Sequence, residues 1–423
     1  MHWLKPPIDM LPLLNVSLPI ILLVAVFIAI AIRKVGQLHL PIWLIMLIAA
    51  IIVLISGDIS IRKAYHAINF EVLFYLFGVF IIGQALESSH YLEHLSFKIF
   101  KHANNLFALL LLMIIVFAFS SALLMNDTIA IIGTPVILIL ARQHQFDSKP
   151  FLLALAYSIT LGSVFSPIGN PQNLLIAMSN MHNPFVVFLK YLFIPTLINL
   201  AILYLIIWLR FKPNLKMPLS HSPSLKAIDS NLARLSQISL ILLLILILLK
   251  IILSTLGSQR HIPFSLIALI SAAPILLFSN KRFKILRCID WHTLVFFIGL
   301  FIFMKSVWLA DYFQPLIATS DINLTHKASI FSISVLLSQF ISNVPLVALY
   351  LPLLHHASNA QLMALAAGST IAGNLLILGA ASNVIIIQNA EKRGKSAFSF
   401  WEFVKLGLPL TLCNSIVYYL FLP

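Results

Sequence analysis

The chain has 423 residues, 61% of them hydrophobic and 9% charged. Soluble domains carry about 25% charged residues, so this composition excludes a water-soluble enzyme or binding module and makes a bilayer the main solvent. The formal net charge of +14 is not a nucleic-acid footprint, because the basic residues sit in short loops between apolar runs, where membrane topology selects them.

Crossing the hydrocarbon takes about 20 apolar residues as helix, and helix is required because backbone polar groups cannot stay unpaired in lipid. In chain order, crossing segments lie near 12–32, 39–56, 69–88, 152–178, 184–210, 236–256, 262–279, 291–309, 361–390 and 401–421. The first leads straight into the second without a small-residue cleavage site, so no cleavable signal peptide is expected. Two further apolar stretches, 105–141 and 328–357, are interrupted midway by polar residues or proline. Each is too long for one simple span and too polar in the middle for two, and each reads as a re-entrant helical hairpin. The expected fold is an all-α polytopic membrane protein with about ten transmembrane spans plus two re-entrant hairpins.

Between the spans, His90-Tyr91-Leu92-Glu93-His94 spells the H-x-x-E-H pattern of one zinc peptidase class, but no third carboxylate follows in a matching context. The segment reads better as an amphipathic surface helix. His355-His356 reads as an exposed loop pair. The two cysteines, Cys288 and Cys413, give neither a metal spacing nor a disulfide framework.

Basic residues orient the chain. Arg33, Lys98, Arg142, Arg210, Lys281 and Lys392 all mark loops that alternate onto one face, provided that 105–141 and 328–357 do not cross. Positive charge favours the cytoplasm, so both termini are expected outside it, in what is expected to be a bacterial inner membrane. The first half is 1–210 and the second is 236–423. The stretch 211–235, with Pro213, Pro218 and Pro223, reads as a cytoplasmic linker.

The halves match in three ungapped blocks. Phe77-Gly78-Val79-Phe80 meets Ile298-Gly299-Leu300-Phe301, residues 121–137 meet 338–354, and residues 154–176 meet 364–386. The polar coincidences Asn126/Asn343 and Asn173/Asn383 carry most weight, beside Ser121/Ser338 and Thr160/Thr370. An odd number of crossings separates equivalent positions, so the repeat is inverted, a recurring transporter plan with its site where the breaks meet at midplane.

Those breaks hold the candidate site. Asn126, Asp127 and Thr128 lie at the tip of the first hairpin; Ser342 and Asn343 lie at the tip of the second. Gly169-Asn170-Pro171-Gln172-Asn173 and Gly379-Ala380-Ala381-Ser382-Asn383 interrupt two spans. Glycine permits conformations that expose carbonyls and proline removes a donor. Free carbonyl and amide oxygens suit a small cation, which makes Asn126, Gly169, Asn343 and Gly379 candidate sodium ligands. Helix N-termini after each break suit an anion. Asp127 is the one acid inside either hairpin, and an intramembrane acid is a functional candidate; it could carry a proton, ligate a cation or cap the following helix. Lys305, matched by Gln84, is a second coupling candidate, with snorkelling to the interface as the alternative.

The segments MNDTIAIIGTP, SPIGNPQNLLIA, SNVPLVALYLP and LLILGAASNVI resemble the signature segments of the ion transporter superfamily. The most similar branch holds arsenite permeases, NhaD-type sodium–proton antiporters and citrate transporters, related to the divalent-anion sodium symporters. The resemblance runs from about residue 12 to 421. It implies a scaffold region, a mobile transport region holding hairpins and broken helices, elevator-like motion, and often a homodimer. Both tip asparagines of the dicarboxylate relatives are kept here, whereas the flanking Ser and Thr are not fully kept. Asp127 points to the arsenite and antiporter branch.

The expected function is secondary active transport of a small anion, an inorganic oxyanion or carboxylate, coupled to sodium or protons. A sodium–proton antiporter using Asp127 is the alternative, ahead of a channel or a membrane enzyme. No cofactor beyond sodium ions is expected. The expected partners are a small-ion substrate, the lipid bilayer and a second copy of the chain.

Overall fold

The computed structural model describes residues 17–32, 34–35, 38–39, 41–100, 102–179, 181–212, 229–256, 262–310, 324–354, 357–391 and 393–423. The described chain is helical apart from a two-residue antiparallel ribbon that pairs Lys34 with His39 and Val35 with Leu38. Residues 12–16 of the first expected span, most of the linker and His355-His356 lie outside the described residues.

The chain divides into two compact units. The first comprises Met1–Ile68 and Val295–Ile322, and the second Asn69–Leu294 and Asn323–Pro423. Each unit draws on both halves of the sequence. The first unit holds α1 (Leu18–Ile32), α2 (Ile42–Ile55), α3 (Ile61–Ala67) and most of α14 (Trp291–Leu309). Gly299 of α14 lies on α2: a methyl group there would stand 2.9 Å from the Met46 carbonyl oxygen.

The second unit runs α4 (Phe70–Ser88), α5 (Tyr91–Phe100), α6 (Leu106–Leu124), α7 (Asn126–His144), α8 (Lys149–Val164), α9 (Pro171–Ala177) and α10 (Pro184–Phe211). It continues through α11 (Ser230–Thr255), α12 (Phe264–Phe278), α13 (Arg282–Cys288), α15 (Lys327–Ile341), α16 (Asn343–Tyr350), α17 (Asn359–Ile371), α18 (Ala381–Glu391) and α19 (Phe400–Phe421). Gly78 of α4 lies on α12, where a methyl group would stand 2.7 Å from the Ala268 carbonyl carbon and oxygen. Gly78 and Gly299 are the matched glycines of the two halves, and each allows close helix approach, as small residues do in membrane proteins.

Six of these helices are long and apolar enough to cross a bilayer: Phe70–Ser88, Leu106–Leu124, Pro184–Phe211, Ser230–Leu253, Trp291–Leu309 and Phe400–Phe421. The α11 face shows why lipid suits them. Ile238, Ile241, Ile245, Leu248 and Ile252 recur at helical spacing and are all exposed, an apolar stripe with no place in water.

Several boundaries shift from the sequence expectation. The second span starts at Ile42 rather than 39, because His39 pairs in the ribbon. The first hairpin continues to His144, where Gln145 adopts a left-handed conformation and ends the helix. In the second hairpin, α16 gives way to a 3-10 turn over Leu351–Leu354, since Pro352 lacks the N–H that an α-helix needs. His90 turns at φ 57° and Tyr91–His94 open helix α5; the Glu93 side chain lies outside the described residues.

The core of the second unit is formed by α8 and α17, the two helices that end at an interruption. Every residue of α8 from Pro150 to Val164 is buried, as is every residue of α17 from Leu362 to Ile371. Both are rich in Ala, Ser and Gly, which lets neighbours approach on all sides. The first hairpin arm α6 packs on α8, and its counterpart α15 packs on α17. The second arms cross over: α7 packs on α18, and α16 on α9.

Candidate functional site

Each hairpin tip is a single non-glycine residue with positive φ. Met125 has φ 70° and ψ 145°, and Ser342 has φ 69° and ψ 158°. Bulky residues rarely take this region, and its use at both matched tips turns the chain back within one residue. Asn126 and Asn343 then open α7 and α16 and are buried, each 6% exposed.

The first tip is bonded to the first interruption. The Asn126 N–H donates to the Gly169 carbonyl at 2.9 Å. The Asn126 Oδ1 accepts from the Asp127 N–H at 2.9 Å. Asp127 itself caps nothing: Met125 holds the cap position and makes no side-chain cap bond. Among the described residues, the Asp127 carboxylate has no hydrogen-bond or ion-pair partner. Thr128 is buried and turns its methyl toward Gly83 of α4.

Asn170 is the N-cap of α9, accepting from the Asn173 N–H at 2.8 Å, as an asparagine at a helix start commonly does. Its amide nitrogen donates to Ser163 Oγ at 3.0 Å and Thr370 Oγ1 at 3.2 Å. Asn173 Nδ2 clips three carbonyls at the frayed end of α8, those of Ser163 (3.0 Å), Val164 (3.2 Å) and Ser166 (3.1 Å). The Ser163 and Ser166 carbonyls also accept backbone bonds, from Ser166 and Gly169, so the Val164 carbonyl is the one that depends on Asn173. The Thr370 hydroxyl, from the other half of the chain, donates to Asn173 Oδ1 at 3.3 Å and accepts from Gln172 at 3.4 Å.

The second interruption repeats this plan with fewer bonds. Asn383 Nδ2 clips the carbonyls of Gly373 (2.8 Å) and Ile377 (3.4 Å). Gln339, one turn before the second tip, donates to the Ala372 carbonyl at 2.9 Å. A methyl group on Gly379 would stand 3.2 Å from Gln339 Oε1. Around this interruption and tip, six buried oxygens have no partner: Ser338 Oγ, Gln339 Oε1, Asn343 Oδ1, Asn374 Oδ1, Ser382 Oγ and Asn383 Oδ1.

The structure therefore brings Asn126, Gly169, Asn170 and Asn173 together by direct bonds. It places Asn343 on the α16 helix packed against α9, and Gly379, Ser382 and Asn383 at the second interruption. Ser342 is half-buried at its tip. Lys305 lies on α14 in the first unit and is exposed. Thr370 and Ser338 were visible as polar coincidences but had no role on the sequence. Ser163 and Gln339 left no repeat signal, since they match Gly373 and Ala122. Among the described residues, no cluster of three His, Cys, Asp or Glu could hold a metal.

Apolar helices with buried, interrupted cores define an integral membrane transporter, and comparison with known proteins agrees. Residues 25–362 match the family model described as citrate transporter, and the chain belongs to that family. It is similar to a 46 kDa membrane protein of Mycobacterium leprae, 26% identical with 86% of this chain and 89% of that protein covered. It is equally similar to the silicon efflux transporter LSI3 of Oryza sativa subsp. japonica, 26% identical over 86% of this chain and 89% of that protein. The fold resembles the crystal structure of the Alcanivorax borkumensis YdaH transporter, with a TM-score of 0.58, 14% identity and 96% of both chains covered. The family and the rice relative are named as transporters.

Proposed function

We propose that this protein is a secondary active transporter that moves a small anion, an inorganic oxyanion or a carboxylate, coupled to sodium or protons. The carrying observation is the group of six partnerless buried oxygens around the second tip and interruption. Each buried polar group left unpaired costs about 1–3 kcal/mol, so their concentration at one place favours a ligand that satisfies them. Amide and hydroxyl oxygens suit a hard cation such as sodium. The N-termini of α7, α16 and α18 open beside the tips and the second interruption, and such ends attract an anion. A cation and an anion bound together would neutralise each other at modest cost.

The matched positive-φ tips, the crossed packing of α7 on α18 and α16 on α9, and the matched glycines support an inverted repeat with two re-entrant hairpins, and the apolar runs and one-sided basic loops support ten spans with both termini outside. The division into two compact units supports elevator-type alternating access.

The test is flux in proteoliposomes with citrate, arsenite and silicic acid, the last included because one relative is named for silicon efflux. Sodium and proton gradients are imposed separately. Uphill accumulation of one solute under one gradient is the expected result; downhill flux alone would mean a channel. The partnerless Asp127 carboxylate favours a second reading, a sodium–proton antiporter. In that case sodium gradients drive proton movement with no anion present.

A further inference from the structure

Helices α10 and α19 carry a further match between the halves. Aligned without gaps, Phe185, Phe188, Lys190, Thr196 and Asn199 meet Phe400, Phe403, Lys405, Thr411 and Asn414. The fold brings the polar members of this match together. Asn414 Nδ2 donates to Asn199 Oδ1 at 2.9 Å, and Asn374 Nδ2 donates to Asn414 Oδ1 at 3.3 Å. Asn374 stands in the interruption between α17 and α18, so a chain of three amides runs from that interruption through α19 to α10. Thr196 Oγ1 and the Tyr418 hydroxyl lie 2.7 Å apart beside it. All of these side chains are buried.

The seam is tight. Gly407, Thr411 and Asn414 occupy one face of α19 at helical spacing. A methyl group on Gly407 would stand 2.1 Å from the Asn374 carbonyl oxygen, so α19 rests directly on the interruption.

Three polar atoms of the seam lack a partner, Asn199 Nδ2, Asn374 Oδ1 and Thr411 Oγ1. The residue matching Asn374 is Val164, which brings no amide toward Asn199. The residue matching Tyr418 is Leu203, which brings no hydroxyl toward Thr411. The two halves share the Thr-x-x-Asn pair, but only the second interruption is tied into it.

We propose that Asn414 is a positioning residue that tethers the second interruption, through Asn374, to α10, leaving the first interruption free of this tether. The inference rests on the reading that the interruptions form the transport site. Holding residues 372–380 in one arrangement raises the fraction of molecules competent to bind, and apparent affinity scales with that fraction.

The test uses Asn374→Val, which installs the residue that the first half carries, and Asn414→Leu, in the full chain. Hydrogen exchange in nanodiscs is compared over 372–380 and over 165–170, and flux is measured with whichever of citrate, arsenite and silicic acid the wild type transports. Exchange over 372–380 is expected to quicken about tenfold while 165–170 is unchanged. The half-saturating solute concentration is expected to rise about tenfold with a less than about threefold fall in maximal flux. Unchanged exchange over 372–380, equal quickening in both segments, or a fall in maximal flux at unchanged half-saturation would overturn the proposal. If the wild type moves none of the three solutes, the transport reading fails, and the exchange comparison alone decides the tether.

Discussion

The Asn126 N–H donates to the Gly169 carbonyl at 2.9 Å, so the first hairpin tip hangs on the interruption between α8 and α9. A side chain on Gly169 would disturb this junction, because a methyl group there would stand 2.5 Å from the Ser163 carbonyl oxygen. Gly169→Ala is expected to cost about 1–3 kcal/mol through overpacking and to abolish flux. Thermal unfolding in detergent and proteoliposome flux check this. Wild-type values for both would show that the junction has slack.

Asp127 can be tested free of any capping role, since its carboxylate caps no helix. Asp127→Asn is expected to keep expression and unfolding midpoint within error while losing gradient-driven accumulation. Asp127→Glu keeps the charge but moves it by one methylene, and is expected to retain partial transport with a shifted pH profile. Normal accumulation by Asp127→Asn would remove this residue from coupling and turn attention to Lys305.

Thr370 links α17 to Asn170, Gln172 and Asn173 of the other half. Thr370→Val deletes the hydroxyl at nearly constant volume and is expected to cost about 1–3 kcal/mol, because Asn173 Oδ1 is left buried without a donor. The matched Thr160 donates only to Ala156 in its own helix, so Thr160→Val is expected to cost less than about 1 kcal/mol. Chemical denaturation of both variants decides; equal losses would mean that the cross-half bonds add nothing.

At the start of α11, Asp229 caps the Leu232 N–H at 3.1 Å and meets Lys281 Nζ at 2.6 Å. Lys281 and the backbone N–H hold its carboxyl below the usual carboxylate range. A depressed folded-state pKa gives stability that is present above the unfolded value, near about 3.9, and lost as pH falls through the folded value. Unfolding midpoints are therefore expected to drop on acidification below about pH 4, and to drop less in Asp229→Asn. Identical acid slopes in the two proteins would exclude this pair as a contributor.

The membrane class, the positions of the helices, the two hairpin tips and the two interruptions were legible in the sequence. All of these depend on local chemistry: apolar runs long enough to span, and Gly, Pro and Asn where the backbone must leave the helix. The α10–α19 match was hidden, because in apolar helices only the polar coincidences Lys190/Lys405, Thr196/Thr411 and Asn199/Asn414 stand out from chance.

What the sequence alone determined is where each backbone break falls and which polar residues it exposes, since those are properties of neighbours along the chain. Only the tertiary structure decided who satisfies them. Thr370 reaches Asn173 across the two halves, Asn414 reaches Asn199, and six oxygens around the second tip and interruption are left without partners. Matched residues in the two halves thus differ in bonding: hydrogen bonds depend on which side chain faces which across packed helices, and a single exchange such as Val164 for Asn374 changes the partner without changing the helix.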